Sequence, residues 1–163
     1  MKIIPAKIDF KKTQKELYQP SSKEVVMIKV PEMQFLMIDG MGSPGDSQEY
    51  QNALAALYPV AFKTKFLSKG KGKDYVVPPL EGLWWADDMN DFRSGNRDKW
   101  KWTMMIRQPD WITEKFIEEA IEITKKINRN FLNYLINYVL KDIMRVSVLK
   151  LCILVLFQKK DLQ

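Results

Sequence analysis

A chain of 163 residues is long enough for one domain with a real core, and 46% apolar against 28% charged residues excludes an intrinsically disordered chain. There is no His, which excludes Ser-His-Asp and Cys-His catalysis and most zinc sites, and the one Cys, Cys152, excludes a disulfide framework. The net charge of +6 is spread along the chain, and its only tight cluster, Lys69-Gly70-Lys71-Gly72-Lys73, reads as a turn, so direct nucleic-acid binding is not expected.

Residues 1–22 are polar and basic and read as an irregular arm; the opening MKIIPAKIDFKK lacks the apolar run of a secretory signal. Together with the single Cys, that suggests a reducing, cytoplasmic location. Lys23–Val30 is strand-like up to Pro31, and Met33–Gly40 is a stronger, apolar strand ending on Gly. After the loop Gly42–Gly45 a helix is expected from Asp46 or Ser47, because Asp46 and Glu49 have capping-box spacing. Tyr50, Leu54, Leu57, Tyr58, Ala61 and Phe62 recur at helical spacing, Pro59 predicts a kink or restart, and the helix should stop before Lys69-Gly70.

Asp74–Trp85 reads as extended, broken at Pro78-Pro79, and a polar loop follows over 86–99. Trp100–Arg107 alternates: Trp100, Trp102, Met104 and Ile106 share one face, and Lys101, Thr103, Met105 and Arg107 share the other. Lys101 and Arg107 read as solvated. Thr113 is placed to cap a last helix with Glu114, Glu118 and Glu119 early, Lys125 and Lys126 late, and a stripe of Phe116, Ile117, Ala120 and Ile121. The order β-α-β-β-α predicts an α+β fold, an antiparallel sheet with helices on one face.

The composition changes at Asn128. Residues 128–163 contain no Gly, Pro, Ala, Glu, Thr or Trp and no turn signal. Its closing run VSVLKLCILVLF has 12 residues with Lys150 inside, against the roughly 20 needed to span a bilayer. This atypical apolar tail is the expected product of an out-of-frame reading starting near Ile127–Arg129. It would leave the domain of residues 23–127 with an incomplete second half and a tendency to self-associate.

Three segments carry a family signature: MQFLMIDGMGSPGDSQEYQNALAALYPVAF (Met33–Phe62), LEGLWWAD (Leu80–Asp87) and WKWTMMIRQPDWIT (Trp100–Thr113). Over about residues 20–127 the chain resembles the GyrI-like small-molecule-binding family, above all its stand-alone bacterial members with a double-Trp strand. The resemblance implies two β-α-β-β modules related by pseudo-two-fold symmetry, with a ligand cleft between them. It implies a hydrophobic or cationic aromatic small molecule as partner, sequestered or sensed in a Trp-lined cleft. Some relatives instead hydrolyse cyclopropane-bearing, DNA-alkylating natural products, so an enzymatic alternative stays open.

The candidate ligand-binding residues are Trp84, Trp85, Glu81, Trp102, Met105 and Tyr75. Trp84 and Trp85 are adjacent on an extended segment, so their rings point to opposite faces, one free to reach a cleft. Glu81 is a cleft carboxylate or a solvated strand residue; Trp102 is a wall or a helix-facing core ring. Met105 and Tyr75 are possible linings. No cofactor or metal is expected: Asp87, Asp88 and Asp91 lack the spacing of a calcium loop.

Overall fold

The structure is a computed structural model that describes residues 6–20, 26–127, 146–149 and 154–156. Two short helices, α1 (Phe10–Thr13) and α2 (Lys15–Tyr18), precede strands β1 (Val26–Ile28) and β2 (Met33–Met41). Helix α3 (Gln48–Gly70) leads to β3 (Leu80–Trp85), and a short helix α4 (Met89–Arg93) leads to β4 (Lys101–Gln108). Helix α5 (Glu114–Ile127), β5 (Val146–Leu149) and β6 (Leu154–Leu156) follow. The main sheet has the order β3-β4-β2-β5, antiparallel throughout, and β1 pairs separately with β6. This is the expected α+β architecture, with α3 and α5 packed together on one face of the sheet.

That face follows from strand alternation. Leu36 and Ile38 of β2 and Trp102, Met104 and Ile106 of β4 meet Ala53, Ala56, Leu57, Val60 and Ala61 of α3, with Ile117 and Ala120 of α5. Ser47 caps α3 by accepting the Tyr50 N–H at 3.2 Å. Glu49 instead accepts the Met41 N–H, tying the end of β2 to the helix start. The capping box expected from Asp46 is therefore replaced by a cap one residue later.

The restart at Pro59 and the stop before Lys69-Gly70 are corrected. The helix runs through Pro59 without restarting, and on to Gly70. The carbonyl that loses its partner to Pro59 belongs to Ala55, an exposed residue, where water can serve it. Tyr58 and Phe62 are not core residues: with Phe66 they form an i, i+4, i+8 row on an exposed face. The polar loop 86–99 also contains order, namely α4, capped by Asp88, and a 3-10 turn at Arg97–Lys99.

The described part of the arm, residues 6–20, is not irregular. Ile8 bridges to Tyr75, and the backbone bonds Ile8 N–H to Asp74 O and Val76 N–H to Ile8 O fasten it at 3.0 and 2.7 Å. From there α1 and α2 cross to the sheet face that, among the described residues, carries no long helix (the helix-free face). Of the apolar tail, only the backbones of β5 and β6 are described; they pair with β2 and β1. Cys152 and the remainder of 128–163, with the reading-frame expectation, lie outside the described residues.

Gly40 marks the tightest point of the packing. A Cβ there would stand 2.2–2.7 Å from three atoms of the Trp102 indole, which is fully buried and cannot retreat. At Gly82 the nearest obstacle, 2.5 Å away, is the flexible tip of Met104. Gly40→Ala is expected to destabilise the fold by about 1–3 kcal/mol and Gly82→Ala by less. Urea melts of the two variants check the order.

Candidate functional site on the helix-free sheet face

The second face of the sheet is built from the alternate residues. Across β4, Glu81 of β3 and Met37 of β2 both stand opposite Met105; Leu83 and Asp39 stand opposite Thr103; Trp85 and Met41 stand opposite Lys101. Directly opposed residues share a face, so these side chains form three successive rows. At one end the face is closed: Val30, Met33, Phe35, Met37 and Met105 make a small buried cluster with Leu17 of the arm and Leu83 against it. At the other end it is open, with Trp85 41% and Met41 49% exposed.

Arg107 lies at the closed end. Its guanidinium is stacked 4.1 Å from the Phe10 ring, and its Nη1 donates to Gln14 Oε1 and, at 3.4 Å, to Tyr18 Oη. Phe10, Gln14 and Tyr18 thus converge at a four-residue spacing on one cation. Arg107 is only 4% exposed, which corrects its reading as a solvated strand residue. Lys101, at the open end, pairs with Asp87 at 2.7 Å. Thr103 donates to Asp39, which sits at the exposed rim.

Glu81 is the boundary between the two ends, half-buried in the row next to Arg107. Burial raises its carboxyl above the usual carboxylate range, and the Arg107 charge and the Tyr18 hydroxyl pull it partly back. Its Oε1 is buried without a hydrogen-bond partner, as is Arg107 Nε. Burial also raises the Tyr18 phenol, opposed by its hydrogen bond with Arg107.

The six sequence candidates do not form one constellation. Glu81, Met105 and Trp85 share the helix-free face. Trp84 is on the helix side, 6.2 Å from the Tyr50 ring, which in turn meets Trp102 edge-on at 5.4 Å. Trp102 and Tyr75 are fully buried in the helix-side core, where Tyr75 donates to Gln108 Oε1 at 3.0 Å. Sequence reasoning missed Tyr18 and Asp39 and set Arg107 aside; the one available signal was the i, i+4, i+8 recurrence of Phe10, Gln14 and Tyr18. No cluster of three metal-ligating side chains occurs among the described residues, and none of their helices is long and apolar enough to cross a membrane.

The profile of the GyrI-like small molecule binding domain matches residues 23–127. The chain belongs to the GyrI-like small-molecule-binding family. This GyrI-like chain is similar to a crystal structure of an uncharacterised conserved protein from Listeria innocua, with 38% identity over 88% of this chain and 67% of that one and a TM-score of 0.75. It is also similar to two crystal structures from Listeria innocua described as hydrolases. Both are 44% identical over 77% of this chain, covering 60% and 62% of theirs, with TM-scores of 0.65 and 0.66. The GyrI-like chain therefore spans about three-fifths to two-thirds of the length of these relatives. No curated protein matches it.

A carboxyl that is more basic in the folded state than in the unfolded chain keeps its proton to higher pH when folded. Stability therefore falls as pH rises from the unfolded value through the folded one. Glu81→Gln keeps the shape and removes the ionisation. It is expected to raise the melting temperature at neutral pH and to lose that advantage below the carboxylate range. A variant melting lower than the parent at neutral pH would show that pairing with Arg107 outweighs burial.

Proposed function

We propose that the helix-free sheet face binds a planar aromatic small molecule, with Trp85 as the stacking ring, Leu83 and Met105 as the apolar floor, and Glu81 as the polar anchor. The observation that carries this reading is Glu81 itself. A half-buried carboxyl with an unpartnered oxygen, two rows from an exposed tryptophan on the same face, disfavours folding and is a group that an arriving ligand can complete. Ring stacking supplies affinity and the anchor fixes orientation. Trp84, Trp102 and Tyr75 play no direct part in this reading; they shape the site through the helix-side core.

The test is titration with a planar aromatic ligand, followed by tryptophan fluorescence. Trp85→Ala should weaken binding by about 1–3 kcal/mol, the usual worth of stacking on an aromatic ring. Trp84→Ala should weaken it much less, because that ring is on the other side of the sheet. Equal losses in both variants would contradict the assignment of the face.

A second reading draws support from the two Listeria structures described as hydrolases. If this chain shares hydrolytic chemistry, Glu81 is the group placed to act as general acid–base, its raised affinity for a proton suiting the role. Incubation with a cyclopropane-bearing alkylating agent, with mass spectrometry for a ring-opened, hydrated product, decides between the readings. Product formed by the parent protein and absent with Glu81→Gln supports hydrolysis; bound but unchanged compound supports binding alone.

A further inference from the structure

The arm lies against the ligand face at its anchor. Tyr18 brings an aromatic ring with one neutral hydroxyl up to Arg107, at 3.4 Å from Nη1, and that hydroxyl bears electrostatically on Glu81 as well. Phe10 covers the guanidinium, and Leu17 packs on the apolar cluster that floors the face. Ring, hydroxyl and apolar neighbour are the features that a small ligand would bring. Yet the fit is incomplete: Glu81 Oε1 and Arg107 Nε, an acceptor and a donor on neighbouring rows, both stay buried and unpartnered. Such atoms favour any occupant that satisfies them.

Charge decides the class of that occupant. An isolated buried carboxylate attracts a cation, but Glu81 already has Arg107 diagonally beside it on the same face. The pair is close to neutral in sum, so a cationic ligand gains little there and sets its charge against Arg107. A neutral hydroxyl can donate to Glu81 and accept from Arg107 at once. We infer that the N-terminal arm is an intramolecular occupant of the site, with the Tyr18 phenol holding the place of a neutral phenolic ligand. This rests on the reading that the ligand binds this face.

Ile8 fastens the start of the arm, and past it the arm is held by the Arg107 contacts, by Leu17 on the apolar cluster and by Tyr18 against Glu81. Helices α1 and α2 have four residues each and bury no residue fully, so displacement breaks little of the core. Binding then exchanges a tethered phenol for a free one, and weakening the tethered one must strengthen the free one.

Calorimetric titration of the full chain with naphthol, its methyl ether and naphthalene-amidinium tests this. On the parent protein, naphthol should bind about tenfold tighter than the ether or the amidinium, the worth of one well-made buried hydrogen bond. Tyr18→Phe removes the competing hydroxyl and should raise naphthol affinity several-fold. Phe10→Ala removes the ring that covers Arg107, loosens the arm while leaving Glu81 and Tyr18 in place, and should act in the same direction. Thermal melts establish that each variant is folded. A preference for the amidinium overturns the inference, and so does naphthol affinity that is unchanged or lower in both variants; in either case the site on this face stands. If none of the three compounds binds to any of the proteins, the reading of the face itself fails, and the inference with it.

Discussion

Strand β4 has to be buried on both sides, and the rest of the structure answers to that requirement. Seven of its eight residues, Trp102–Gln108, are buried. One side of it carries Trp102, Met104 and Ile106 under two packed helices; the other carries Thr103, Met105 and Arg107. A slip of one residue in register would exchange the two sets and put a guanidinium into the helix-side core. Gly40 and the indole of Trp102 hold that register in place, since the ring fills the volume that any Cβ at residue 40 would occupy.

Among the described residues no long helix covers the second side, and its protection comes from two short turns of the arm at one end, while Trp85 and Met41 stay exposed at the other. The proposed site rests on this asymmetry. Under the arm, Arg107 is fully enclosed and needs partners, which Phe10, Gln14 and Tyr18 supply. At the open end, Lys101 and Asp39 are half-solvated and find partners at the surface. Glu81 stands between, too enclosed to be well hydrated and not enclosed enough to be fully satisfied. A group in that position costs stability, and the cost is understandable where something arrives to complete it.

Much of this was legible in the sequence, because it depends on period alone. The alternation over Trp100–Arg107 assigns the two faces of β4, adjacency alone separates Trp84 from Trp85, and the charge gradient and stripe of Glu114–Lys126 define α5. What was not legible depends on contacts distant in sequence. Arg107 looks like any charged residue on an alternating strand until a segment some 90 residues earlier folds over it. The arm looks irregular because two four-residue helices have no amphipathic period of their own; only the sheet beneath gives meaning to Phe10, Gln14 and Tyr18. Trp102 and Tyr75 illustrate the converse ambiguity. Large rings are equally good as walls and as core, and residue type does not distinguish the two uses. The exposed Tyr58, Phe62 and Phe66 row shows the same ambiguity on a helix.

The central claim is that ligand binding belongs to the helix-free face and leaves the helix-side core undisturbed. Methionine provides reporters on both sides of the same strands. Met37 and Met105 lie on the helix-free face, and Met104, one residue from Met105, lies in the helix-side core. Methyl-selective NMR of methionine-labelled protein during titration with a planar aromatic ligand reads all three at once. The account predicts saturable shifts at Met105 and Met37 with Met104 unmoved. Shifts at Met104 with Met105 and Met37 silent would contradict it.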